Sequence, residues 1–135
     1  MRIRHGTSSM FIQDKKQVIK YLQGRNVNNQ RYYRFLRSRR FGLLDDARFS
    51  VGGIPYEITH FLSRSEIMGY DIASVNCNFN LEGTDDVAIA LVSGDDVICY
   101  NTRTQEVYLW QIQNGDGEKI QIANSLDRFF EIIDN

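Results

Sequence analysis

Helical spacing opens and closes this chain, and between its ends the apolar residues alternate or run unbroken. In DKKQVIKYLQG (residues 14–24), Val18, Tyr21 and Leu22 fall on one helical face, Asp14 and Gln17 have the spacing of a capping box, and Gly24 can end the helix. A second helix is predicted to start after Asn28 or Asn29, to carry Tyr32, Phe35 and Leu36 on its apolar face, and to end near Phe41 and Gly42. In SVGGIPYEITHFLSRSE two glycines permit a turn. Ile54, Pro55, Ile58, Phe61 and Leu62 then suit a short helix with proline in its first turn, or an irregular segment.

Beyond this point the pattern turns to strands. Asp71 to Phe79 reads as one, and DVAIALV (Asp86 to Val92) is an apolar run suited to a central strand covered on both faces. Asp96 to Asn101 and Glu106 to Gln111 form a predicted antiparallel hairpin through the loop TRTQ, and Ile120 to Ala123 adds a short strand after the turn NGDGE. In NSLDRFFEIIDN, Asn124 or Ser125 can cap a helix, Asp127 favours its first turn, and Leu126, Phe129, Phe130 and Ile133 share one face. The order predicts an α+β fold: N-terminal helices, a central, mostly antiparallel sheet, and a C-terminal helix packed on the sheet.

Length changes this picture little: 135 residues suit a single domain, 1–135, with one core. An apolar fraction of 42% with 12% aromatic residues excludes a disordered chain. No apolar run approaches the roughly 20 residues that span a bilayer, and the start MRIRHGTSSMF lacks the apolar core of a secretory signal, so a cytoplasmic protein without a membrane partner is expected. Cys77 and Cys99 are too far apart for a CxxC motif and are expected to be buried free thiols in strand-like surroundings.

Charge changes the picture more. Residues 1–50 hold twelve basic against three acidic residues, a net +9, whereas residues 51–135 hold four against fourteen, a net −10. Such a split suits a basic end that meets nucleic acid, an acidic end that meets a basic protein, or two halves that neutralise each other in the fold.

Candidate chemistry is sparse. The pairs Asp85 with Asp86 and Asp95 with Asp96 each precede an apolar strand. Paired carboxylates can support acid/base or metal chemistry, but aspartates in this position serve more often as solvated turn residues. His5 and His60 do not complete a ligand set, no GxSxG elbow is present, and VGGIP, SGDD and NGDGE lack the spacing of a phosphate or dinucleotide loop. No catalytic residue, metal site or cofactor is therefore expected. In RYYRFLRSRRF, Arg31, Arg34, Arg37, Arg39 and Arg40 alternate with Tyr32, Tyr33 and Phe35, an arrangement that can bind phosphates and stack on bases. Tyr32, Phe35 and Leu36 are already needed for the core face, and nucleic-acid binding through this helix is the alternative to the main reading.

The block ALVSGDDVICYNTRTQEVYLWQIQNGDGEKIQIANSLDRFFEII resembles the closing portion of the SUKH superfamily. There an apolar strand leads to a glycine/aspartate turn, a hairpin, a Val-Tyr strand and a Ser-x-x-x-Phe helix, matched here by Ser93, Gly94, Asp95, Tyr100, Asn101, Val107, Tyr108, Ser125, Phe129 and Phe130. GGIPYEITHFL is similar to an earlier family segment, a proline-containing start to a helix ending in Phe-Leu. The resemblance implies a non-catalytic protein-binding domain, in small bacterial members an immunity protein that neutralises a cognate toxin, often a nuclease, by occluding its active surface. Such a toxin presents a basic surface. The expected contacts are the carboxylates Asp85, Asp86, Asp95, Asp96, Glu106 and Asp116, with Tyr108 and Trp110 as aromatic anchors.

Overall fold

The unbroken run Val87–Val92 is buried at every position, which only a central strand covered on both faces allows. In a computed structural model, which describes residues 2–3, 10–38, 44–45, 48–62, 71–94, 96–112 and 117–133, this run lies in a six-stranded antiparallel sheet. Its strands follow one another in chain order: β3 (Arg48–Val51), β4 (Ile54–Phe61), β5 (Asp86–Val92), β6 (Asp96–Asn101), β7 (Val107–Gln111) and β8 (Glu118–Ala123). A separate two-stranded sheet pairs β1 (Arg2–Ile3) with β2 (Leu44–Asp45). The helices are α1 (Met10–Gly24), α2 (Gln30–Ser38), α3 (Ile72–Asn78) and α4 (Leu126–Ile133). The predicted α+β arrangement is thus formed, and α4 packs against the sheet. Among the described residues, no helix is long and apolar enough to cross a membrane.

The helices hold one face of the sheet through aromatic rings. Phe61 of β4 meets Phe35 of α2 at 4.8 Å and Phe130 of α4 at 6.0 Å, while Phe35 and Phe130 lie 5.1 Å apart. Local caps fix where these helices begin. Asn29 Oδ1 accepts from the Tyr32 amide at 2.8 Å, and Ser125 Oγ accepts from the Arg128 amide at 3.1 Å. Asn29 also donates through Nδ2 to Asp127 at 3.2 Å, joining the start of α2 to the first turn of α4. Helix α1 begins at Met10, so Asp14 lies inside it and does not cap; the predicted end of α2 near Phe41 and Gly42 lies outside the described residues.

Two segments differ from expectation. Residues 54–61 are a strand, because Gly52 (φ 59°) and Gly53 (φ 80°) form a two-residue turn with both residues left-handed, the geometry that closes a tight hairpin. Val51 and Ile54 flank that turn as the hydrogen-bonded pair, which leaves Ser50 and Pro55 as the next, non-hydrogen-bonded pair. The proline nitrogen therefore faces away from β3, at a level where the β5 ladder has not yet begun. Residues 72–78 are a helix. Asp71 caps it by accepting from the Ser74 amide at 3.1 Å, and Ile72, Val75 and Asn76 are its buried side. Cys77 is consequently exposed on a helix, while Cys99 is buried in β6 as expected.

Asn76 explains how α3 fits the sheet. Strand β4 reaches β5 only as far as Ala90, with Leu62 donating to the Ile89 carbonyl at 2.9 Å. Past this point the Asn76 amide takes the place of a neighbouring strand: Oδ1 accepts from Ala88 N at 2.8 Å and Nδ2 donates to Ala88 O at 3.1 Å and to Ile72 O at 2.8 Å. A fully buried polar side chain is thereby bonded to both backbone groups of Ala88 that would otherwise be stranded. Register shifts in the β4–β5, β5–β6 and β7–β8 pairs bend the sheet. Across the two strands between them, Gln111 of β7 donates through Nε2 to the Tyr56 hydroxyl of β4 at 3.4 Å.

Candidate partner-binding face

The end of the sheet where β5 begins and β6 ends gathers most of the described candidate residues. Asp86 pairs in register with Asn101, so the loop before β5 (81–85) lies beside the β6–β7 turn (102–106). The Thr102 amide donates to the Asp85 carbonyl at 2.8 Å and locks the two loops together. Asn101 shapes the turn: its Oδ1 accepts from the amides of Arg103 (3.0 Å) and Thr104 (2.9 Å), and its carbonyl accepts from the Gln105 amide at 2.8 Å, with Gln105 left-handed at φ 67°. Among the described residues, the exposed carboxylates at this end are Glu82, Asp85 and Glu106. Asp85 is met by Arg103 at 3.8 Å, a solvent-exposed pair that contributes little to stability.

The loop before β5 is held from behind by Arg25. Its Nη1 donates to the Tyr21 hydroxyl (2.8 Å) and to Glu82 (3.3 Å), and its Nη2 to the carbonyls of Leu81 (2.8 Å), Thr84 (3.3 Å) and Asp86 (3.0 Å). Tyr21 donates in turn to Glu82 at 2.7 Å, and burial followed by this carboxylate pushes its hydroxyl up to about 12. Charge thus passes between the two halves of the chain: Arg25 meets Glu82, and Arg31 of α2 meets Glu131 of α4 at 3.6 Å.

Asp86 stands in a second polar cluster on the face of β5–β8. Its Oδ1 accepts from Asn101 Nδ2 at 2.8 Å and its Oδ2 from Lys119 Nζ at 3.3 Å. Burial alone raises its carboxyl, but the facing Tyr108 hydroxyl, Asn101 and Lys119 outweigh it and hold the group below the ordinary carboxylate value. The Tyr108 hydroxyl faces Asp86 and Cys99 without the geometry of a normal hydrogen bond to either. Burial, then the neighbouring Cys99 and Asp86, raise its pKa; burial also raises that of the Cys99 thiol, so neither is poised as a nucleophile at neutral pH. Lys119 Nζ lies 5.1 Å from the ring centroids of both Tyr108 and Trp110, and the Trp110 indole is fixed by donating to the Gly117 carbonyl at 3.0 Å.

The sequence-predicted residues therefore separate. Asp85 and Glu106 are exposed at one end, with Asp86 half-buried beside them. Asp96, at the start of β6, is buried at 3% exposure, and Tyr108 is buried at 6% beneath Lys119, so neither belongs to an exposed acidic rim. Trp110 is half-buried; Asp95 and Asp116 lie outside the described residues. No group of three or more potential metal ligands occurs among the described residues. In α2, Tyr32, Tyr33 and Phe35 are buried in the core and so are not available to stack on bases. Arg31 is paired, Arg34 is exposed, Arg37 sits near the end of α2, and Arg39 and Arg40 lie outside the described residues. Arg25, Asn76, Glu82 and Lys119 are not singled out by the sequence pattern; Asn101 is, through the family resemblance, but without the turn-shaping role that its position before TRTQ gives it. No protein-family model, curated protein or solved structure matches this chain.

Proposed function

We propose that this chain is a non-catalytic protein-binding domain of the SUKH superfamily that acts as an immunity protein, neutralising a cognate toxin, with a nuclease as the expected class, by covering its active surface. The observation that carries the reading is the acidic end of the sheet, where Glu82, Asp85 and Glu106 stand exposed on two loops joined through Thr102 and Asp85. An acidic surface of this kind, in which Arg25 and Arg103 offset part of the charge, complements a nuclease, whose substrate demands cationic residues, and steers association. The resemblance adds support through particular elements: strand β5, its glycine turn, the β6–β7 hairpin, and helix α4 capped by Ser125 with Phe129 and Phe130 in the core.

The test begins with capture of partners from nuclease-treated lysate of the native cells and continues with the purified partner's activity. A partner with a basic domain whose activity is abolished by one equivalent of this chain supports the proposal. Asp85→Lys with Glu106→Lys is then expected to weaken the complex by roughly tenfold or more, mainly through slower association at low salt. Full activity of the captured partner in the presence of excess chain sinks it.

A further inference from the structure

Lys119 occupies a box. The faces of Tyr108 and Trp110 each lie 5.1 Å from its ammonium, and the Asp86 carboxylate approaches to 3.3 Å. Two aromatic faces and one carboxylate converging on a point are what a cation-binding site requires: the rings attract through their quadrupoles and the carboxylate by charge. Here the ligand is part of the protein. Its side chain is 49% exposed, whereas that of Asp86 is 16% exposed, so the lysine is the accessible member of the pair and the carboxylate the enclosed one. Lys119 belongs to β8, the last strand of the sheet, whose outer edge is not paired with another strand of that sheet. Its contacts are one exposed-side ion pair and two ring faces, neither strongly directional, on a flexible four-carbon stem.

We propose that Tyr108, Trp110 and Asp86 form a receptor for a primary ammonium group, that Lys119 fills it in the free chain, and that a lysine side chain of a protein partner takes its place on binding. The identity of the partner as a basic toxin rests on the function proposed above; the ammonium receptor does not. The box selects a compact ammonium because that is the group it already accommodates, and its carboxylate disfavours a neutral amide. Self-occupancy has a consequence for affinity. The tethered lysine competes with any incoming one, so the receptor binds free ligand poorly until Lys119 is removed, and a partner must offer further contacts to displace it.

Trp110 is the chain's single tryptophan, so its fluorescence reports directly on this box. Titration of wild-type protein and Lys119→Ala with acetyl-Gly-Lys-Gly-amide is expected to give a saturable change in the variant, with a dissociation constant at least tenfold below that of the wild type. The same peptide carrying acetyl-lysine should be silent. Lys119→Gln serves as a second variant that keeps a long side chain in the strand, and circular dichroism establishes that each is folded. Absence of saturation in the folded variants, or an equal response to the acetylated peptide, overturns the proposal. Ammonium binding by Lys119→Ala without neutralisation of any captured basic partner leaves the receptor standing and removes the toxin reading. Neutralisation without ammonium binding does the reverse.

Discussion

Arg25 and Lys119 are both cations that end at Asp86, one at its backbone carbonyl and the other at its carboxylate, and they do opposite work. Arg25 comes from α1, is 12% exposed, and spends its fork of donors on three carbonyls, a hydroxyl and a carboxylate, each at a fixed direction. Lys119 comes from an edge strand, is 49% exposed, and is held by ring faces and one carboxylate that impose little direction. A guanidinium bonded to backbone fixes the loop it touches, because its planar fork meets three carbonyls at once in set directions; an ammonium resting on aromatic faces can be exchanged for another. The acidic end of the sheet thus has a rigid back and a replaceable front.

Breaking the back is the largest perturbation available. Arg25→Ala is expected to lower unfolding free energy by about 3 kcal/mol in urea titration, since it removes five hydrogen bonds at once, to Tyr21, Glu82 and the carbonyls of Leu81, Thr84 and Asp86, although Thr84 still donates to Leu81 and Asp86 and Tyr21 to Glu82. Arg25→Lys should recover only a minor part, because one ammonium cannot reach all three carbonyls. A near-neutral Arg25→Ala would mean that the loop before β5 is held by its own turn bonds, such as Thr84 Oγ1 to the Leu81 carbonyl at 2.7 Å.

The second joint on β5 is smaller. Asn76→Ala removes a buried amide that meets both Ala88 backbone groups, at an expected cost of about 2 kcal/mol in the same titration. Hydrogen exchange localises the effect: the Ala88 amide should lose protection well before those of Ile98 and Leu109 in the neighbouring strands. Uniform loss of protection across the sheet would show that Asn76 stabilises the whole fold rather than the point where β4 ends.

That same asparagine explains why α3 was hard to read. Ile72, Val75 and Phe79 stand at helical spacing, but the position that completes the face holds polar Asn76, placed there by the demand of an unpaired stretch of β5, and the period is hidden. In β4 the disguise runs the other way. Ile58 and Phe61 are both buried although three residues apart, because the register shift between Ile58 and His60 breaks strict alternation, and the result mimics a helix. The doublet Gly52-Gly53 was the signal that read correctly as a turn but carries more, since two consecutive left-handed residues specify a hairpin. Where faces are continuous, as in α2, α4, β5 and β6, the pattern and caps were legible. The ammonium box was not, because the meeting of Lys119 with Trp110 depends on the β7–β8 register, which neither strand specifies alone.

The front gives the smallest effect and the finest comparison. Asp86 has its carboxyl held below the ordinary value of 3.8, so folding binds fewer protons at this group than unfolding does; its stabilising contribution is present above that value and is lost as the pH falls through the lower, folded value. In Asp86→Asn the stability measured by thermal melting between pH 5 and 2 should therefore fall less steeply than in the wild type. Lys119→Ala should take only part of that slope away, because the Tyr108 hydroxyl and the Asn101 amide hold the carboxylate ahead of the ammonium. At pH 7 the same variant should cost less than about 1 kcal/mol, the scale of an exposed ion pair with a weak ring contact. If Lys119→Ala flattened the acid limb as fully as Asp86→Asn, the ammonium would be the carboxylate's main support. Lys119 would then resemble Arg25, fixed in the fold rather than exchangeable, and the contrast between the two cations would collapse.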